Sequence, residues 1–162
     1  MNPDNAAMMA DGDQFDNLIQ RAMSHSDTLL FKVIRNIAQN DKTAAILLQD
    51  YVYSFYQVIE STQNSDLQLE LLGTLVHADT NRWEEFMEKT TVLQFINRAL
   101  VVDAVEDDVL LECIMLCATM CYDDKCAEML ARTYVVKLLD LLLHEKHEDD
   151  EIVHQILFTF YK

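Results

Sequence analysis

EDDVLLECIMLCATMC, residues 106–121, decides the fold. It opens with Glu106, Asp107 and Asp108, which suit the positive end of a helix dipole. After Asp108 the only charge is Glu112, so the rest is apolar nearly all round. A helix wetted on one side shows a polar stripe; one without it is enclosed by neighbours. Counted from Asp108, apolar residues fall at Leu111, Ile114 and Ala118. The same acidic start and offsets recur from Asp27 (Leu30, Val33, Ile37), from Asp66 (Leu69, Leu72, Val76) and from Asp150 (Val153, Ile156, Phe160). The four starts lie 39, 42 and 42 residues apart, which is the signature of a repeat protein.

Composition agrees with a repeated helical unit. Hydrophobic residues make up 51% of the chain, enough for a core. Two glycines and one proline, Pro3, are too few for a sheet protein with many tight turns, so the class is all-α. The chain carries 28 acidic and 12 basic residues, a net charge of −16. That charge repels a phosphate backbone, attracts basic partners, and argues against nucleic-acid binding. The N-terminus, MNPDNAAMMADGD, lacks the basic start and apolar core of a signal peptide, and no run approaches a membrane span of about 18 residues. A cytoplasmic chain with no membrane insertion and with free thiols follows as the expectation.

In order, residues 1–13 are polar and small, belong to no repeat, and are expected to be a disordered N-terminal segment. Residues 14 to about 23 form a short amphipathic helix with Phe15, Ile19 and Met23 at helical spacing. Asp27 then caps the helix through Asn40. Three further units each read as a short helix, a second helix and an acid-started third helix. A partial array over 14–162 results, about three and a half repeats, with units near 14–40, 41–79, 80–122 and 123–162. Three helices in roughly 40 residues is the armadillo pattern, a right-handed α-solenoid; two-helix repeats run to about 34. The segments Ile19–Met23 and Ile96–Leu100 echo one another two repeats apart. No short first helix is expected in the first unit, and the last helix displays Ile156, Leu157, Phe160 and Tyr161, so the chain reads as part of a longer array inclined to self-associate.

Candidate chemistry is sparse. Cys113, Cys117 and Cys121 line one helix face, with Cys126 beyond; zinc ligands converge from different elements, so these thiols read as core packing. Glu151 and His154 form half of a di-iron helix motif, with His144 and His147 in the preceding link, and no second half exists. With glycine only at positions 12 and 73, no phosphate loop or nucleophile elbow is available. Trp83 with Phe86, and Tyr51, Tyr53 and Tyr56, are spaced as packing faces rather than a ligand cage. No catalytic residue, metal site or cofactor is expected.

In a stack of three-helix units the third helices line a concave groove that can hold a peptide or a helix. Positions bordering it are expected to include Lys32, Arg35 and Asn36, then Glu70 and Thr74, then Met115 and Thr119, then Gln155 and Thr159.

Four stretches then carry a resemblance: LLFKVIRNIAQND (29–41), LGTLV (72–76) with Trp83 downstream, EDDVLLECIM with DDKCAEMLA (106–131), and EDDEIVHQILFTFY (148–161). Their order and spacing are similar to the armadillo region of kinesin-associated protein, the non-motor accessory subunit of heterotrimeric kinesin-II. The resemblance covers about residues 14–162. It implies a non-catalytic scaffold that binds the tails of the kinesin-II motor subunits and, through cargo adaptor proteins, links the motor to cargo. Its implied setting is microtubule-based, notably intraflagellar, transport in the cilium or flagellum. Many armadillo proteins carry a peptide-holding Asn on each third helix; only Asn36 has that character here, with Thr74, Thr119 and Thr159 in similar places. That departure argues against the alternative of an armadillo adaptor for basic peptides, as in nuclear transport. The remaining alternative, a small helical metal-binding protein, requires stoichiometric metal.

Overall fold

A computed structural model describes residues 3–10 and 12–162. Among them are twelve α-helices, one 3₁₀ turn and no strand, as an all-α chain requires. The chain divides into two compact units, residues 1–81 and 82–162.

The first unit holds α1 (Pro3–Met9), α2 (Gly12–His25), α3 (Thr28–Asn40), α4 (Lys42–Leu47), a 3₁₀ turn (Leu48–Asp50), α5 (Val52–Ser61) and α6 (Ser65–Val76). The expectation of disorder over 1–13 is corrected here: α1 packs on α3 and α2 begins at Gly12, while Met1, Asn2 and Asp11 lie outside the described residues. A short helix therefore does precede α2. Its sequence supplies the reasons: Pro3 fits the first helical position and Ala6-Ala7 favour the helix. α2 buries Phe15, Ile19 and Ala22, and leaves Met23 only partly covered. It ends with Ser26 in the left-handed region (φ 49°); Ser26 N–H donates to Met23 O and Asp27 N–H to Ala22 O, a Schellman pattern with Ser in the usual glycine place.

Asp27 caps α3 through its carboxylate and the Leu30 N–H (3.1 Å). α3 lies against α6, and Phe31 meets Phe55 of α5 edge-to-face at 5.6 Å. Gln68 donates to Ile59 O (3.0 Å), and Asp79 N–H to Ala45 O (2.9 Å), closing α5 and α4 onto the α6 region. Tyr51 stacks on Phe55 and donates to Asp16, and Tyr56 is buried, as packing faces should be.

The second unit holds α7 (Trp83–Lys89), α8 (Val92–Ala99), α9 (Asp107–Met120), α10 (Asp124–Ala131), α11 (Val135–Glu145) and α12 (Asp150–Tyr161). Its packing repeats with the sequence: α7 packs on α10, α8 on α11 and α9 on α12. Trp83 and Phe86 are buried edge-to-face at 5.6 Å. Cys113, Cys117 and Cys126 are in the core and Cys121 is half-buried; all four are free thiols.

The stretch 106–121 is α9 with its cap, and it is enclosed as its pattern demands: even Glu112 is buried. The acidic register is shifted, however. Only Asp27 of the four aspartates is a cap; the others are capped or preceded by Asn64, Glu106 and Asp149. Counted from those caps, the residues buried in all four helices are the seventh (Ile34, Leu71, Cys113, Ile156) and the tenth (Ile37, Thr74, Leu116, Thr159). Of the four apolar residues expected on display in the last helix, Leu157, Phe160 and Tyr161 are exposed, whereas Ile156 is fully buried.

Candidate protein-interaction surfaces

In the first unit five of the sequence-nominated residues lie on α3 and α6, which pack together. One helical turn brings Lys32, Arg35 and Asn36 onto neighbouring positions of α3, with Glu70 facing them from α6. Arg35 Nη1 lies 3.7 Å from Glu70 Oε2, and Lys32 Nζ 4.0 Å from Oε1. Both are ion pairs beyond hydrogen-bonding distance. The Glu70 side chain is 10% exposed against 65% for Lys32, so a buried carboxylate is matched to a cation that still reaches water. Asn36 donates its amide N–H to Lys32 O (2.9 Å), turning that group onto its own helix. Thr74 is fully buried and donates to Glu70 O (2.7 Å), so its hydroxyl serves the helix and is not displayed.

Two residues that pattern-reading passed over shape this cluster. Gly73 lies beneath the Arg35 guanidinium: a Cβ there would overlap it, 2.6 Å from Nη1. His77, at the end of α6, is held below its ordinary pKa by burial first and by the Arg35 charge second. The available signal was that Gly73 is the one glycine inside a helix rather than at its first position, and such a glycine often marks a close approach.

In the second unit Met115, Thr119, Gln155 and Thr159 sit on α9 and α12, which pack together. Thr119 donates to Met115 O (3.0 Å) and Thr159 to Gln155 O (2.8 Å). Thr159 is buried, its hydroxyl 3.5 Å from Ile114 O across the helix pair, so it belongs to the packing of α9 on α12. Met115, Thr119 and Gln155 remain partly exposed. Thr159 occupies the position of Thr74 counted from the helix cap, whereas Thr119 lies three residues further on.

The acid-rich links order the same unit. Lys146, before α12, reaches Asp107 at 2.8 Å and Asp103 at 3.4 Å, joining the starts of α12 and α9. Lys125 pairs with Glu84 at 3.0 Å, tying α10 to α7. An open pocket is lined by Glu145–Glu151. Among the described residues no three His, Cys, Asp or Glu side chains are placed to hold a metal ion, and no helix is long and apolar enough to cross a membrane.

These features define an all-helical chain whose units are built by stacking helices, with charged and polar residues along the α3–α6 and α9–α12 pairs. The model of the kinesin-associated protein (KAP) family matches residues 1–162, the whole chain, and the chain belongs to that family. No solved structure matches it.

Proposed function

We propose that the chain is an armadillo-type segment, a right-handed α-solenoid, acting as a non-catalytic scaffold that binds kinesin-II motor tails and links them to cargo adaptors. The observation carrying this reading is the family match over the whole chain. The in-register pairing of α7–α9 with α10–α12 supports the solenoid, since each repeat then covers the apolar face of its neighbour. With α1 ordered, three-helix units bounded near residues 40, 79 and 122 account for the twelve helices. The setting implied is cytoplasmic and microtubule-associated, in ciliary or flagellar transport.

The α3–α6 cluster is the contact we favour for the tails. Lys32 and Arg35 are cations in a chain of net charge −16, so they offer an acidic partner group a local exception to a repulsive field. In the first unit Asn36 is the other nominated position open enough to take part; in the second unit Met115, Thr119 and Gln155 are the partly exposed ones. Glu70, Thr74 and Thr159 serve from beneath, by holding Arg35 and the helix backbones. The basic-peptide adaptor is the weaker reading, because the one Asn of ladder type, Asn36, already turns its N–H to Lys32 O.

The test is retention of the paired motor tails on the immobilised chain at low and moderate salt. Salt-sensitive retention that Lys32→Gln weakens is expected; Lys32 is exposed, and the variant leaves Glu70 its Arg35 partner. A chain that holds no tails, with its circular dichroism intact, sinks the reading.

A further inference from the structure

Two histidines at the end of α11 are held in the same way. His144, in the last turn of α11, brings Nδ1 to Asp140 O at 2.8 Å, and His147, three residues on, brings Nδ1 to His144 O at 2.9 Å. A carbonyl oxygen only accepts, so in each neutral ring the proton sits on Nδ1 and Nε2 keeps its lone pair. The two accepting carbonyls are one turn apart on α11, so the rings lie on consecutive turns of one face. Both histidines are exposed, and Lys137, Asp140 and His144 make this face of α11 a polar, solvated one. A backbone carbonyl on Nδ1 is also the outer contact that metal-bound histidines carry, because it fixes the tautomer and leaves Nε2 as the ligand.

We infer that His144 and His147 form a two-imidazole site for a divalent transition ion of the zinc and copper class. Imidazole nitrogen suits those ions, whereas Mg²⁺ and Ca²⁺ take oxygen ligands. The surrounding charge favours a cation. The link contributes Glu145, Glu148, Asp149, Asp150 and Glu151, while its one cation, Lys146, is drawn away to Asp107 and Asp103. His147 lines the same open pocket as those acids, beside the partially negative C-terminus of α11. Ligand bonds of about 2.0–2.1 Å put two Nε2 atoms about 3.3 Å apart on one ion, whereas carbonyls one turn apart are separated by about 6 Å, so binding draws the rings together. Water completes the shell, since among the described residues no three His, Cys, Asp or Glu side chains are placed to hold an ion. The bound ion clips the last turn of α11 to the link that leads into α12, a role independent of the scaffold reading.

The experiment adds ZnCl₂ to the full chain at about pH 7.5, where imidazole is mostly neutral, and follows the histidine rings by long-range ¹H–¹⁵N NMR. Before zinc is added, His144 and His147 should show the Nδ1–H pattern. With zinc, their Nε2 signals should shift together at one ion per chain, while His25 and His154 stay in place. MgCl₂ at the same concentration should move neither ring. His144→Gln and His147→Gln, both at exposed positions outside the core, should each weaken zinc binding about tenfold or more. Rings that respond to Mg²⁺ as they do to zinc assign the ion to the acidic link and overturn the inference. So does zinc binding that either variant leaves intact, because the half-exposed Cys121 or another group is then the ligand.

Discussion

The guanidinium of Arg35 lies across Gly73, on the one spot of α6 where a methyl group would collide with it. Their relationship is a packing solution for Glu70. A glycine in mid-helix costs about 1 kcal/mol against alanine, yet only a residue without Cβ lets Arg35 reach the buried Glu70 carboxylate. Gly73→Ala should therefore move the flexible guanidinium aside and weaken the ion pair, a net loss of about 1 kcal/mol despite the better helix former. Arg35→Ala should cost more, about 1–3 kcal/mol, because Glu70 keeps only the distant Lys32. In the Arg35→Ala background Gly73→Ala should change sign and stabilise by about 1 kcal/mol. Urea denaturation of the four proteins closes this cycle; additivity would refute the coupling.

His77 reports on the same cation. Unfolded, it protonates near about 6.5; in the fold burial and then Arg35 lower that value. Within the window between the two values only the unfolded state is protonated, so stability falls as pH drops through it and is flat above. Replacing His77 with Gln should remove that slope, which sets in as pH falls below about 6.5. By NMR the His77 titration should move upward in Arg35→Ala, though not fully to normal, since burial remains.

Much of the helical plan was legible in the sequence because the units are long, amphipathic and almost free of glycine and proline. The four acid-started helices, the enclosure of α9 and the packing roles of Trp83, Phe86 and Cys113 all follow from pattern. The fine register was not legible. An aspartate one or two residues inside a helix resembles a capping aspartate in a one-dimensional string, so Asn64, which caps α6 by accepting from Leu67 N–H, was passed over for Asp66. The site residues suffered from the same limit. A threonine can display its hydroxyl or return it to the helix, and the sequence does not distinguish the two; Thr74 and Thr159 return it. The Arg35–Gly73 approach needs two helices in place before it exists. α1 was hidden by polar composition, although Pro3 and the alanines were sound local signals.

The cysteines should separate sharply by reactivity. Burial pushes the Cys113 thiol up to about 12, with Glu112 adding to it, and lifts Cys117 well above its ordinary value. Cys126 is also pushed up to about 12, by burial and then by Asp123. Cys121 is raised by burial as well but is half-exposed, and so is the one a reagent can reach. Titration with Ellman's reagent at pH 8 should give one slow thiol in the native protein and four after denaturation. Cys121→Ser should abolish the native signal; a persisting one would show α9 or α10 opening locally.

Lys146 is the sole Lys or Arg in the link from Glu145 to Glu151, and it reaches across to Asp107 and Asp103. Its ammonium is held above its ordinary pKa, first by the Asp107 hydrogen bond and further by Asp103, so it stays charged well beyond neutral pH. Asp103 takes a left-handed backbone (φ 57°), which an Asp tolerates better than most residues. Without the cation, the acidic starts of α9 and α12 face each other with no positive group between them. Lys146→Ala should therefore lower the melting temperature more in dilute buffer than in about 0.5 M NaCl, where screening shortens the reach of the repulsion. Lys137→Ala, exposed on α11, should show no such salt dependence. Equal losses at both salt concentrations for Lys146→Ala would mean that the side chain supports the link through packing of its stem rather than through its charge.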